Sequence, residues 1–340
     1  MKLLSWNYQG LGNLWIVRSL RKLLKDQGPM VCFLMETRLN KEGFEKHCRD
    51  LPLPNKLIIK KPDSGGRLAM LWKREVKVDV INFTENHILA KVVEEDGAAW
   101  FLTGFYGWPQ SCQKVKSWAL LSHLATFVEG PWLCIGDFNA ILNSDEKLSS
   151  RPPSYNQMDD FREVLDRCSL VDLSFIGYPF IWNNKRPGLA NTRECLDSAV
   201  ATKDWKEMYP ECTVTHLHSH ASDHVPIILQ TKPTRNHFTK SARSFRFEES
   251  WLLWEDCEAV VQEAWNIKEG TRSSLTRIKE NIKGYGLELQ AWGSSKTHPD
   301  TDKIKVLQKR VETLGRGVCT EENKVEFLEV SKELDDLLRK

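Results

Sequence analysis

A β-rich α+β domain followed by a helical tail is the class this sequence predicts. Three observations carry it. From Leu57 to Gly107 short apolar runs alternate with turn residues, the pattern of an antiparallel sheet. On either side of that stretch, helical spacings of apolar residues stand between further strands. Past Lys232 strand patterns stop and helical ones take over, which divides the chain at 1–232 and 233–340.

Composition bounds the rest. The 340 residues are 41% apolar with thirteen Trp, enough for a sizeable core. A net charge of +2 excludes a globally basic nucleic-acid binder, so any basic surface is local. Nine Cys, an odd number without a C-x-x-C pair, include Cys32 and Cys134 inside apolar runs, which points to reduced thiols in an intracellular protein. The N-terminus turns polar after three apolar residues and is not expected to be a signal peptide. No run approaches the roughly 18 apolar residues of a membrane span.

In order, Leu3 to Asn7 reads as a first strand. Asn13 can N-cap a helix with Ile16, Leu20, Leu23 and Leu24 on one face, closed by Gly28-Pro29. Val31 to Glu36 is a buried strand ending in a carboxylate, expensive unless a cation meets it. Strands follow at Leu57, Leu68–Trp72, Val76–Ile81, from His87, and from Trp100 to Tyr106. Trp118, Leu121, Leu124 and Val128 mark a helix. Leu133 to Gly136 reads as a short buried strand that stops at Gly136 and delivers Asp137 and Asn139 to one side, as i and i+2 of an extended chain. An Asx-turn is the competing account of that pair. Ser154 and Gln157 are spaced as a capping box before a helix with Met158, Phe161, Leu165 and Cys168. A strand at Phe180 follows, then one over Arg193–Val200 with Asp197 in its interior. Thr213 to His220 would set His216, His218 and His220 on one solvated face, and Val225 to Leu229 closes the β region. The tail carries helical stripes through Trp251–Trp265, Leu275–Leu289, Ile304–Leu314 and Phe327–Leu337, a helical hairpin or small bundle with no catalytic cluster.

Reactive polar groups end or leave six strands: Asn7, Glu36, Tyr106, Asp137 with Asn139, Asp197, and Asp223 with His224. Together they fit one task. Glu36 is a hard oxygen ligand suited to Mg²⁺, with Asn7 and Asp223 beside it. Asp137 can polarise water and Asn139 can orient it. His224, held as imidazolium by Asp197, can donate to a phosphoryl oxygen. A core aromatic is the competing account of Tyr106.

Ser5-Trp-Asn7, the Glu36 strand, Gly104-Phe-Tyr106, Gly136-Asp137-Phe-Asn139, Leu196-Asp197 and Ser222-Asp223-His224 resemble, in order, the endonuclease/exonuclease/phosphatase superfamily. Trp6-Asn7 with Gly10-Leu-Gly12, Phe33-Leu-Met-Glu36-Thr, Gly104-Phe-Tyr-Gly-Trp-Pro and Phe180-Ile-Trp-Asn are similar to its plant LINE-type retrotransposon branch. The tail resembles the linker that precedes reverse transcriptase there, so the chain looks like the front fragment of such a polyprotein. The resemblance implies a four-layer αββα sandwich of two mainly antiparallel sheets, and a nuclease using Mg²⁺ (or Mn²⁺) on DNA, with no small-molecule cofactor, working in the nucleus. It also implies that Glu36 takes metal and Asp137 the water, that Tyr106 and Asn139 stabilise the transition state, and that Asp197 orients His224.

This chain departs from that pattern at Tyr8 and Gln9, at Ile181, and at Cys195 and Ser198 around Leu196-Asp197. Cys195, sharing a strand face with Asp197, and Ile181 are expected near the site, where they replace polar groups and slow the enzyme; packing in the core is the competing account of both. A phosphatase of the same superfamily and a non-catalytic nucleic-acid-binding remnant are the rival readings. His218-Ser-His220-Ala-Ser-Asp223-His224 also approaches a zinc-cluster pattern, with a spacing one residue too long.

Overall fold

Alternation along the strands sets the layers. The computed structural model describes residues 1–8, 10, 14–39, 41–49, 51–61, 65–217, 222–232, 256–266, 282, 284–289, 291–292, 299–316 and 320–339. The first third of the chain forms β1 (Lys2–Asn7), α1 (Leu14–Gln27), β2 (Val31–Met35), α2 (Lys41–Cys48), β3 (Asn55–Lys61), β4 (Gly65–Trp72), β5 (Lys77–Thr84), β6 (His87–Val93) and β7 (Ala99–Tyr106). Next come α3 (Lys114–Ala125), β8 (Trp132–Asp137), β9 (Lys147–Ser149), α4 (Tyr155–Arg167), β10 (Leu170–Asp172), β11 (Trp182–Asn183), β12 (Thr192–Glu194) and β13 (Asp197–Thr202). They are followed by α5 (Lys203–Met208), β14 (Thr213–His216), β15 (Ile227–Gln230), α6 (Cys257–Asn266), α7 (Pro299–Arg316) and α8 (Glu321–Arg339). The chain divides into two compact units, 1–233 with 309–340, and 234–308.

Two six-stranded sheets are built, β14-β15-β1-β2-β4-β3 and β10-β13-β8-β7-β6-β5, with a small third sheet β11-β12-β9. Pairing is antiparallel except where a helix crosses over, between β1 and β2 through α1 and between β7 and β8 through α3. On β1, Leu3 faces the other sheet while Leu4 and Trp6 face outward. Val31, Phe33 and Met35 of β2, Leu102 and Tyr106 of β7, and Leu133 and Ile135 of β8 point into the same inter-sheet core. Outer residues of the first sheet pack on Val17, Leu20 and Leu24 of α1 and Phe44 of α2. Those of the second pack on Trp118, Leu121 and Leu124 of α3 and Phe161 and Leu165 of α4. The result is an αββα sandwich, as expected. Among the described residues no helix is long and apolar enough to cross a membrane.

Several local expectations are corrected. β8 continues through Asp137 rather than stopping at Gly136. The single strand expected over Arg193–Val200 is two. β12 pairs with β9 and β11, and the chain then changes partners at Cys195 and Leu196 so that β13 begins at Asp197 and pairs with β8. Ser154 sits at the N-cap of α4 without a side-chain cap bond, so the capping box does not form. His216 is not on a solvated face. It is 5% exposed, stacks on Phe175 at 4.0 Å and bonds the Tyr178 carbonyl through Nδ1. His218 and His220 lie outside the described residues, as do Asn13, Gln9, Trp251, Trp254 and the stripe from Leu275 to Ile278. Cys195 and Ile181 are core residues between the sheets, 3% and 2% exposed, not lining of the site. Tyr8 is likewise core, edge-on to Trp6 at 4.1 Å.

In the tail, Leu307 and Val311 are buried on α7 and Leu334 on α8, following the sequence stripes. Arg310 on α7 bonds Glu326 on α8 through Nε at 2.7 Å.

Candidate active site

Inner-face alternation carries polar groups to one end of the sandwich. On β1 the series Leu3, Ser5, Asn7 keeps one face, and on β8 Leu133, Ile135, Asp137 does the same. Glu36 follows β2 directly with φ 51°, and Asn139 has φ 54°, left-handed conformations that cost non-glycine residues about 1–3 kcal/mol and gather at functional sites. Close approach is built in. A Cβ on Gly136, at φ 151°, would stand 2.0 Å from the Phe105 carbonyl oxygen, and one on Gly104 would stand 2.4 Å from the Phe33 ring.

Asn7 is the hub. Its Nδ2 donates to Glu36 Oε1 at 3.2 Å and to Asp137 Oδ2 at 3.0 Å. Two acceptors on one amide nitrogen fix its orientation, leaving Oδ1 buried without a hydrogen-bond partner. Tyr106 OH donates to Glu36 Oε1 at 2.7 Å, and Arg38 Nη2 lies 3.6 Å from Glu36 Oε2. Asp137 Oδ1 accepts from the Asn139 backbone N–H at 2.8 Å, an Asx-turn, so that turn rather than strand alternation brings the two residues to one cleft. Asn139 Nδ2 donates to the Gly107 carbonyl at 3.0 Å. Behind them His224 Nδ1 bonds Asp197 Oδ2 at 2.7 Å, while its Nε2 is 3.9 Å from Asp137 Oδ2.

The electrostatics follow from burial. Desolvation, then the Asp197 charge, push the Asp137 carboxyl up to about 7, against the pull of His224 and the bonds from Asn7 and Asn139. Burial opposes charge on His224, but the Asp197 carboxylate beside it, helped by Asp137 and Asp223, carries its pKa up to about 10. The imidazole is thus a cation at neutral pH and the acid beside it is poised near neutrality.

A cleft of about 540 Å³ opens on this end, lined by Asn7, Glu36, Tyr106, Asp137, Asn139 and His224. Asp197 stands behind His224. Asp223 is set apart. Its Oδ2 accepts from Trp182 Nε1 at 3.0 Å and its Oδ1 from Ser222 Oγ at 3.3 Å, and it lines an adjoining cleft with Asn183 and Lys185. Lys114, Lys147, Arg151 and Trp182 also line the main cleft. Sequence reasoning missed the cations Lys114, Lys147 and Arg151 because they come from a helix start, the start of a three-residue strand and a loop, none with a pattern of its own.

Among the described residues Asp137, Asp197 and His224 bring ligand atoms within 4.8 Å of one another and could hold a metal ion. The Nδ1 of that histidine is committed to Asp197, however. The orphaned Asn7 Oδ1, with the carboxylates of Glu36 and Asp137 on the same cleft, is a hard-oxygen set that fits Mg²⁺ or Mn²⁺ better than a thiolate-seeking ion.

No family model matches the sequence, and no curated protein does. Solved structures match it. The endonuclease domain of TRAS1, a telomere-specific non-LTR retrotransposon, superposes with TM-score 0.51 at 14% identity, covering 67% of this chain and 96% of that one. An AP endonuclease from Archaeoglobus fulgidus gives 0.51 at 15% over 68% and 98%. The 3′-5′ exonuclease NExo from Neisseria meningitidis gives 0.52 at 17% over 68% and 99%. At these identities the likeness establishes architecture alone: this chain shares the two-sheet αββα fold of these nuclease structures.

Proposed function

We propose that the protein is a Mg²⁺-dependent DNA endonuclease of the LINE-type retrotransposon kind, that residues 1–232 hold its nuclease domain, and that the helical remainder is a linker dispensable for cutting. One observation carries the hydrolytic reading. Three hydrogen-bonded pairs, Asn7–Asp137, Glu36–Tyr106 and Asp197–His224, meet at one cleft. Glu36 and Asn7 Oδ1 would hold the cation, which supplies Lewis-acid polarisation of a phosphoryl oxygen. Asp137, fixed by Asn7 and the Asn139 N–H, takes the proton of the attacking water. His224, kept protonated by Asp197, donates through Nε2 to a non-bridging oxygen. Tyr106 and Asn139 stabilise charge in the transition state. Asp223 enters only as the group that anchors Trp182.

Conversion of supercoiled plasmid to open circles tests this. Nicking should need Mg²⁺ or Mn²⁺, stop with EDTA and survive truncation after residue 232. Turnover of a phosphomonoester in place of nicking would make the protein a phosphatase, and DNA binding without either would make it a binding module.

A further inference from the structure

The charges around the cleft nearly cancel, and the remainder identifies a residue. His224 is neutralised by Asp197 at 2.7 Å, and Lys147 by Glu194, Nζ to Oε1 at 2.7 Å. A divalent cation would offset Asp137 and Glu36, the latter also met by the exposed Arg38 at 3.6 Å. What is left on the wall is Lys114 with the exposed Arg151. Lys114, the first residue of α3, is half-buried; its backbone N–H bonds the Ser111 carbonyl, while its Nζ makes no hydrogen bond or ion pair among the described residues. Its neighbours are already engaged, Asp137 by Asn7 and Asn139, Glu194 by Lys147. Burial draws its pKa down, with the Asp137 and Glu194 charges acting against that. Taking an ammonium out of water without a partner is costly unless an anion completes the site. The N-cap Ser154 of α4, on the same cleft, makes no cap bond, so positive backbone potential faces the same space.

We propose that Lys114 is the substrate-holding cation of this cleft, donating from Nζ to a non-bridging oxygen of a DNA phosphodiester. The proposal rests on the hydrolytic reading for its substrate, but binding can be measured apart from cutting. The test uses the full chain, with fluorescence anisotropy of a labelled DNA duplex in EDTA across a range of NaCl, and nicking kinetics in Mg²⁺. For Lys114→Gln affinity should fall about tenfold at 0.1 M salt, and the slope of log affinity against log salt should become shallower by about one, the loss of one phosphate contact. KM should rise more than kcat falls, and Lys114→Arg should restore both. If the glutamine variant melts early, Lys114→Met keeps the aliphatic stem and gives the same comparison. Unchanged affinity and salt slope in a well-folded variant of an enzyme that still nicks overturns the lysine assignment and leaves the nuclease standing. A Lys114-dependent salt slope without nicking keeps the phosphate contact and removes the hydrolase. No DNA binding by the wild type removes both.

Discussion

The two large sheets repeat one pattern and divide one chemistry. Each runs antiparallel, antiparallel, parallel, antiparallel, antiparallel across its six strands, so β1 and β8, and β2 and β7, occupy matching places. The first sheet and its flanks deliver Asn7, Glu36 and His224. The second delivers Tyr106, Asp137 and Asp197. Three of the four hydrogen bonds among them described above, Asn7–Asp137, Glu36–Tyr106 and His224–Asp197, cross from one sheet to the other, and the fourth, Asn7–Glu36, stays within the first. Neither sheet alone holds a site, so activity reports on how the two are stacked.

The largest effect should come from breaking a crossing pair at its reactive member. Asp137→Asn on one sheet and His224→Ala on the other should each slow nicking by roughly 10²–10⁴, the range for a positioned acid or base. Circular dichroism should show both folded. If either unfolds, that residue clasps the sandwich rather than serving the reaction. Glu36→Gln should act through the cation instead. The Mg²⁺ concentration for half-maximal nicking should rise by about 10–100-fold or more, at least what loss of an outer partner of a metal costs. An unchanged Mg²⁺ titration would place the ion elsewhere.

A second contrast lies one residue before the reactive groups. On β8 that residue is Gly136, whose missing Cβ lets the Phe105 carbonyl approach. On β1 it is Trp6, whose Nε1 donates to the His224 carbonyl at 2.9 Å. Gly136→Ala must accommodate both a positive φ and a clash with backbone, so it should destabilise by about 2–4 kcal/mol. Trp6→Phe loses one buried bond, about 1–2 kcal/mol. Urea melts of the two variants check the ranking, and equal losses would mean that β8 can shift to make room.

Those two positions also show how far the sequence could be read. Strand ends were legible, because an apolar run closing on a carboxylate or amide is conspicuous in Val31–Glu36 and Leu133–Asp137. Helix faces in α3 and α4 were legible from spacing. The break at Cys195 was not. Alternation continues through it, while the chain changes partners because the Cys195 N–H bonds the Glu146 carbonyl and the Leu196 carbonyl accepts from Phe138 N. That single break turned Cys195 into the core and away from the site. His216 was misjudged because a histidine in an alternating strand carries no mark of which neighbour covers it, here Phe175. Lys114 had no signal at all, since its value depends on which carboxylates around it are already taken.

The smallest effect is a matter of slope, and it separates two buried histidines of opposite character. His224, at the site, has its pKa carried up to about 10, whereas His87, at the start of β6, is pushed down to about 4 by burial and then by the charge of His123. His87 is held by Thr84 Oγ1 at 2.9 Å and Asn82 Oδ1 at 2.6 Å. A lowered folded pKa means that the stability His87 contributes is present above its unfolded value near 6.5 and is lost as pH falls through about 4. A raised one means that the contribution of His224 is present below 6.5 and is lost as pH rises through about 10. Asp137, raised to about 7, opposes His87 in the acid window, because its contribution is present below about 4 and is lost as pH rises towards 7. In metal-free buffer the two oppose each other between about pH 4 and 6.5. Asp137→Asn should uncover the histidine as a gain of stability with rising pH, at most about 1.4 kcal/mol per pH unit for one proton. Adding His87→Gln should reduce that gain, and His224→Ala should reduce the fall between 6.5 and 10. Unfolding free energies at half-unit pH steps decide it. A single variant that flattens both limbs would mean that His87 on the second sheet and His224 beside the first titrate as one unit.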